Sequence, residues 1–379
     1  MKIVFIVQYH FFGGTFFRWH NLAIALQQQG HTVMVFSATG NPKAKLEKTI
    51  IDGIPYHIVP GNHGSRFFGN AASNPITAIQ RLWIHYPKAD VYHLFQPFLS
   101  GAWAWQLLKW KYPSAKFVYD WDDLWIGGLM QKKRSKVWDF RMVKKLEQNL
   151  PRKAHAVTVC SRFLQAIAIE RGAKKVEVLH NGIWPATSVM PVIKSREILG
   201  LDTTAFYIGF MGKTQQEIDW CFEVLQRCER EDLRLALCGT DTTCMEGLSS
   251  DCLAKIDYLG QLTPEQSFHF AHAIDIGLLP LSDNPFNQSR FPIKFAEYQK
   301  AGTPVAFSEV GELSAYHQIF TWNINCGVGR ETFVNRLTAY LNQKHTPPQV
   351  SKEVLMDNLS WERIGKQLAT LYQEITQPI

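Results

Sequence analysis

The chain has 379 residues, 46% of them hydrophobic, which is too long for one small core and too apolar for disorder, so two globular domains are expected. Its formal net charge of +7 sits in one segment, since Met130 to Lys153 holds nine basic and two acidic residues and the remainder has 31 of each sign. Seven cysteines without a CxxC pair or a nearby histidine cluster argue against a disulfide framework and a zinc knuckle, and suit a reducing compartment.

Met1 to Val7 has a basic start and an apolar run of strand length with no cleavage site after it, and reads as a first β-strand. No apolar stretch approaches the roughly 20 residues that cross a bilayer. The turn Gly13-Gly14 leads into a helix, where Leu22, Ala25, Leu26 and Gln29 recur until Gly30, and Thr32 to Ser37 is the next strand. This opening predicts a parallel sheet wrapped by helices, with its ligand at the carboxyl ends of the strands.

Further strands are expected at Val91 to Leu94, Lys116 to Tyr119, Ala156 to Cys160 and Val176 to Leu179, and Asn181 to Pro191 reads as a linker. A second alternating series covers Ala205 to Phe210, Leu233 to Cys238, Lys255 to Leu259, Ile274 to Pro280 and Pro304 to Ser308. The expected division is residues 1–184 and 185–359. A last helix over 360–379, with Trp361, Ile364, Leu368 and Leu371 on one face, is predicted to return to the first domain.

Several residues could carry chemistry. Gly13-Gly14 lets backbone amides approach an anion at a helix start, or makes an ordinary turn; the third glycine of a dinucleotide fingerprint is missing. His93 is expected where a strand opens into a cleft, unless it is packed. The run Tyr119-Asp120-Trp121-Asp122-Asp123-Leu124-Trp125 offers carboxylates and indoles to a polyhydroxylated sugar; a metal site and helix capping are the rival readings. Between Asn287 and Pro304, Arg290 and Lys294 suit a diphosphate and Glu297 a ribose diol. In the basic segment, Trp138, Met142, Leu146 and Leu150 recur every four positions among lysines and arginines. This pattern predicts either an interfacial helix on an anionic membrane or a core-packed helix with a solvated basic face. No base-reading motif accompanies it, so nucleic acid is not an expected partner.

The chain resembles the retaining glycosyltransferases of family four. The matching pieces are, in order, Gly13-Gly14 with Asn21-Leu22-Ala23 and Gly30-His31-Thr32-Val33; Asp90-Val91-Tyr92-His93; Val157-Thr158-Val159-Cys160-Ser161; Val178-Leu179-His180-Asn181-Gly182; Leu259-Gly260; and Pro292 to Tyr298 running into Ala301-Gly302-Thr303-Pro304-Val305. The resemblance implies a GT-B fold, an α/β architecture of two Rossmann-like domains facing across a cleft. It implies transfer of a hexosyl group from a nucleotide sugar, UDP-glucose first, to a sugar or lipid-linked acceptor in cell-envelope polysaccharide assembly, with no metal or cofactor. It puts His93 near the reacting carbon. Gly14, Gly212, Lys213, Leu262, Ser289, Arg290, Lys294 and Glu297 are its donor contacts, with Lys213 and Lys294 stabilising the leaving diphosphate. Asp122 and Asp123 are expected to position the acceptor.

The chain departs from the family pattern at three positions. Phe95 stands where the family often has a second histidine, Ser289 where it has the first of two glutamates, and no lysine completes the basic pair begun by Lys213. A nucleotide-sugar 2-epimerase or a noncatalytic sugar-binding scaffold of the same fold are the alternatives. The expected location is cytoplasmic, with peripheral docking on the inner face of the plasma membrane through residues 130–153.

Overall fold

A computed structural model describes residues 1–8, 14–38, 47–59, 73–127, 137–185, 190–212, 217–239 and 241–377. The chain forms two compact units. One takes Met1–Asn181, Ser289–Phe291 and Trp361–Ile379, and the other Gly182–Gln288 and Pro292–Ser360. The sequence reading placed the whole of 185–359 in the second domain. The structure returns Ser289–Phe291 to the first unit, for reasons given with the site.

The first unit is built on strands β1 (Lys2–Ile6), β2 (Thr32–Ala38), β3 (Glu47–Ile51), β4 (Ile54–Val59), β5 (Val91–Phe95), β6 (Lys116–Trp121), β7 (Ala156–Val159) and β8 (Val176–Val178). They lie in the order β3-β4-β2-β1-β5-β6-β7-β8. All neighbours are parallel except β3 and β4, an antiparallel hairpin closed by Asp52 and Gly53 at φ 49° and 79°. Positive φ at both central residues is the two-residue turn that matches strand twist.

The helices of this unit are α1 (Gly14–Gln28), α2 (Pro75–Leu82), α3 (Leu99–Lys111), α4 (Val137–Lys153) and α5 (Arg162–Glu170). Asn74 caps α2 by accepting from the Ile76 N–H, with Pro75 at the first helical position. The step from β1 to β2 runs opposite to the steps from β4 through β7, so right-handed crossovers put α1 on one sheet face and α2, α3 and α4 on the other. Gly365 of the carboxyl-terminal helix Trp361–Thr376 lies so close to α1 that a Cβ there would meet the Ala25 methyl at 2.5 Å.

The second unit has a fully parallel six-stranded sheet of β9 (Phe206–Met211), β10 (Leu233–Cys238), β11 (Ile256–Tyr258), β12 (Ile276–Leu279), β13 (Val305–Phe307) and β14 (Ile324–Asn325), ordered β11-β10-β9-β12-β13-β14. Around it lie α6 (Val192–Leu199), α7 (Ile218–Arg227), α8 (Pro264–Ala273), α9 (Ile293–Ala301), α10 (Arg330–Asn342) and α11 (Lys352–Leu359), and the chain ends in α12 (Trp361–Thr376) of the first unit. Thr263 and Gln266 cap α8 reciprocally. All seven cysteines are free thiols, and only Cys244 is not buried. Among the described residues no helix is long and apolar enough to cross a membrane.

Candidate functional site

In the first unit the predicted residues separate into a structural set and a set at the strand ends. His93 is the middle residue of β5, not its end. It is fully buried, with Nδ1 2.6 Å from the Tyr372 hydroxyl and Nε2 3.2 Å from Thr158 Oγ1. Burial pushes its pKa down to about 3. Both nitrogens are occupied and no face is open, so the expectation that His93 faces a sugar is corrected: it is a core histidine.

Asp120 is also structural. Both of its oxygens accept from Arg18, Nε and Nη2 at 2.9 Å each, and Thr158 Oγ1 donates to Oδ2 at 2.6 Å. Arg18 Nη1 goes on to the Leu179 carbonyl at 2.8 Å and Asn181 Oδ1 at 3.2 Å. A buried bidentate pair with every oxygen committed holds α1 against β6 and the last loop of the unit.

The strand-end set begins two residues later. Asp122 Oδ1 accepts from Trp125 Nε1 at 3.1 Å, and burial, with Asp123 and Asp120 adding, holds its pKa well above the ordinary carboxylate range. Burial also lifts Asp123, to about 6, against the pull of Arg290 and Arg18. Ser289–Phe291 belongs here because it is stitched to these loops. Leu124 N–H donates to Ser289 Oγ (3.1 Å), Ser161 Oγ to the Ser289 carbonyl (2.6 Å), and Asn181 Nδ2 to the Phe291 carbonyl (2.8 Å). Ser289 is thereby corrected as well: its hydroxyl fastens the loop after β6 and its carbonyl the start of α5 after β7. Gly14 opens α1, as a helix start after β1 requires. Gly13 and Lys213 lie outside the described residues.

Two residues here were missed in the sequence. Gln96, just past β5, takes a left-handed backbone at φ 70°, and its side-chain oxygen is buried; such a conformation costs a non-glycine residue about 1 to 3 kcal/mol. Glu147 of α4 accepts from Trp125 N–H at 2.7 Å and Trp121 Nε1 at 3.2 Å, so it fixes the turn that carries Asp122 and Asp123. Burial pushes its pKa up to about 7. Only the Gln96-Pro97 pair was a legible signal, since a residue before proline is restricted.

In the second unit the strand ends form a floor of glycines. Gly239 has φ 83°, and a Cβ there would sit 3.1 Å from the Gly212 carbonyl oxygen. Gly239 N–H donates to the Gly260 carbonyl at 2.8 Å, and Leu262 follows, half-buried, in the turn before α8. Over this floor comes α9. Tyr298 anchors it, accepting from the Met211 N–H at 3.1 Å, in a space that Gly277 leaves clear. Lys294 places its ammonium against Gly212 and 5.0 Å over the Phe210 ring. Glu297, one turn on, is raised in pKa by burial against the pull of Lys294 and Lys300. Glu217, also missed, accepts from Ser282 N–H at 3.0 Å and from the Ser282 hydroxyl, and so pins the loop after β12 to the start of α7. Among the described residues no three His, Cys, Asp or Glu side chains group as a metal ligand set.

Two helix-wrapped sheets, parallel but for one edge hairpin, set the class: the chain has the GT-B fold. It superposes on sucrose-phosphate synthase from Thermosynechococcus elongatus with a TM-score of 0.76 at 17% identity, over 99% of this chain and 98% of that one. HepE from Anabaena, solved with UDP and glucose, gives 0.70 at 15% identity over 99% and 100%. Residues 12–186 match the model of Glycosyltransferase Family 4. A putative teichuronic acid biosynthesis glycosyltransferase, TuaH of Bacillus subtilis strain 168, is 24% identical over 234 residues. That match spans 60% of this chain and 56% of the relative's own length.

Proposed function

We propose that the chain transfers a hexosyl group from a nucleoside diphosphate sugar to a hydroxyl of a growing envelope polysaccharide, with retention of configuration and without a metal ion. The observation that carries this is Lys294 set against Gly212, beside Gly239 and Gly260, with Glu297 one turn along the same helix and within its electrostatic reach. Absent side chains let a diphosphate approach backbone amides, the ammonium neutralises it, and the carboxylate one turn away accepts from a ribose diol. When the anomeric C–O bond breaks, its electron pair goes to the diphosphate, where Lys294 and Lys213 stabilise the growing charge. The acceptor oxygen bonds to the anomeric carbon and passes its proton to the departing diphosphate oxygen. Asp122 and Asp123 position that acceptor.

UDP-glucose is the first donor to test, in keeping with the UDP and glucose held by HepE, and the TuaH likeness supports an envelope polymer as acceptor. The test is calorimetric titration of the full chain and of Glu297→Ala with UDP-glucose. Loss of a charged hydrogen bond should weaken binding by about 1.5 to 3 kcal/mol, and equal affinity would remove the ribose assignment. Free epimer formed from the donor without acceptor would favour the epimerase reading instead.

A further inference from the structure

The predicted apolar stripe of α4 is not available to a membrane. Leu150 is buried, Trp138, Met142 and Leu146 are half-buried, and Trp138 Nε1 donates to the Ser73 carbonyl at 2.9 Å. Beyond its first residue, Val137, and Gln148, what α4 exposes is positive charge: Arg141, Lys144, Lys145, Arg152 and Lys153. Lys132, Lys133, Arg134 and Lys136 lie outside the described residues.

The exposed apolar surface lies beside it, on α2 and α3. Ile76 and Ile79 lie along α2 with Trp83 at its carboxyl cap, and Trp103, Leu107 and Trp110 follow one face of α3 at helical spacing. Trp83 is 86% exposed and Trp110 82%. The two helices pack against each other, α3 packs on α4, and Lys109 Nζ donates to the Lys153 carbonyl at 2.6 Å. Thus α2, α3 and α4 form one outward layer with apolar ridges next to a cationic one.

The chemistry of this layer selects its partner. Asp139 and Glu147 are the acidic residues of the three helices, and both are buried. Every exposed charge on the layer is therefore positive. Indoles rest at the boundary between headgroups and acyl chains, and lysines and arginines beside them meet anionic headgroups. We infer that the first unit docks on an anionic lipid surface through the tryptophan ridges of α2 and α3, with α4 supplying the electrostatic attraction. The inference rests on the transferase reading only for its use, which is to bring the unit to a lipid-borne acceptor.

Vesicle co-sedimentation of the full chain tests it, with phosphatidylcholine vesicles, vesicles containing phosphatidylglycerol, and low and high salt. The chain is expected to sediment with the anionic vesicles only, and less so at high salt. A Trp83→Ser, Trp110→Ser variant should lose roughly tenfold in partitioning per indole even if only part of each ring enters the lipid. An Arg141→Gln, Lys144→Gln, Lys145→Gln variant should lose about fivefold per cation and its salt dependence. Both variants change exposed side chains, and unchanged circular dichroism and UDP-glucose affinity would show that fold and donor site are intact. Equal sedimentation of the chain and the tryptophan variant would overturn the docking, as would a dimer in the ultracentrifuge that the tryptophan variant abolishes. Loss of UDP-glucose binding in Glu297→Ala with unchanged vesicle binding would separate the two readings.

Discussion

His93 and Tyr372 are joined by a 2.6 Å hydrogen bond between residues 279 positions apart, which ties β5 of the first unit to its last helix, α12. Each is fully buried, and burial lowers the imidazole pKa and raises the phenol's well above its ordinary value. The pair is therefore a neutral contact that the core can hold.

Replacing His93 by alanine should cost about 2 to 4 kcal/mol, because it opens a cavity and strands the Tyr372 hydroxyl. UDP-glucose affinity at a permissive temperature should be unchanged, since His93 is fully buried with both ring nitrogens engaged inside the core. The sign of the pH effect follows from the lowered pKa. The unfolded chain binds the proton near pH 6.5 and the folded one near 3, so stability is complete above pH 6.5 and falls toward pH 3. Urea melts of the chain and of His93→Gln should converge on acidification.

Glu147 has the opposite sign. Its folded pKa near 7 exceeds the ordinary 4.5, so the folded state holds the extra proton between these values. Stability is greatest below pH 4.5 and declines as pH rises through 7, by about 3 kcal/mol at 1.36 kcal/mol per unit. Glu147→Gln keeps an acceptor for Trp125 and removes the titration. The variant should therefore gain on the parent between pH 5 and 8 in chemical denaturation, and a constant difference would contradict the assignment.

Lys294→Ala should lower the turnover rate of sugar transfer more than it weakens UDP-glucose binding, because charge on the leaving diphosphate grows in the transition state. Chelator treatment should leave the rate unchanged. Strict dependence on added manganese would reopen Asp120, Asp122 and Asp123 as ligands.

Arg18→Met leaves the Asp120 carboxylate buried and uncompensated, and should cost about 3 to 5 kcal/mol in a thermal or urea melt. The double change Arg18→Met, Asp120→Asn should recover part of that loss. Full additivity would argue against direct coupling.

Much of the scaffold was legible because buried parallel strands are continuous apolar runs punctuated by glycine. The β3–β4 hairpin was not: Glu47, Lys48 and Thr49 dilute its apolar signal, and the cue was the Asp52-Gly53 pair. His93 was misplaced because β5 runs on to Phe95, and strand length is poorly fixed by composition. Glu147 was missed because sequence cannot show that the Trp121 indole and the Trp125 backbone N–H converge on it. The transfer of Ser289–Phe291 to the first unit depends on partners more than 100 residues away, and no local pattern encodes those. Glu297 and Lys294 were legible because both lie on one short helix.

The position of α12 also bears on how the protein is made. Translation delivers every residue of the second unit before Trp361, the first residue of α12, so that unit can close on its own Ile183–Ser360 bridge while the first is unfinished. Until the final helix emerges from the ribosome, the groove of Ala25 beside α1 stays open and His93 lacks Tyr372. Residues made before the whole of the second unit are thus sealed after it, and nascent chains stalled before Trp361 present that unsealed face to chaperones.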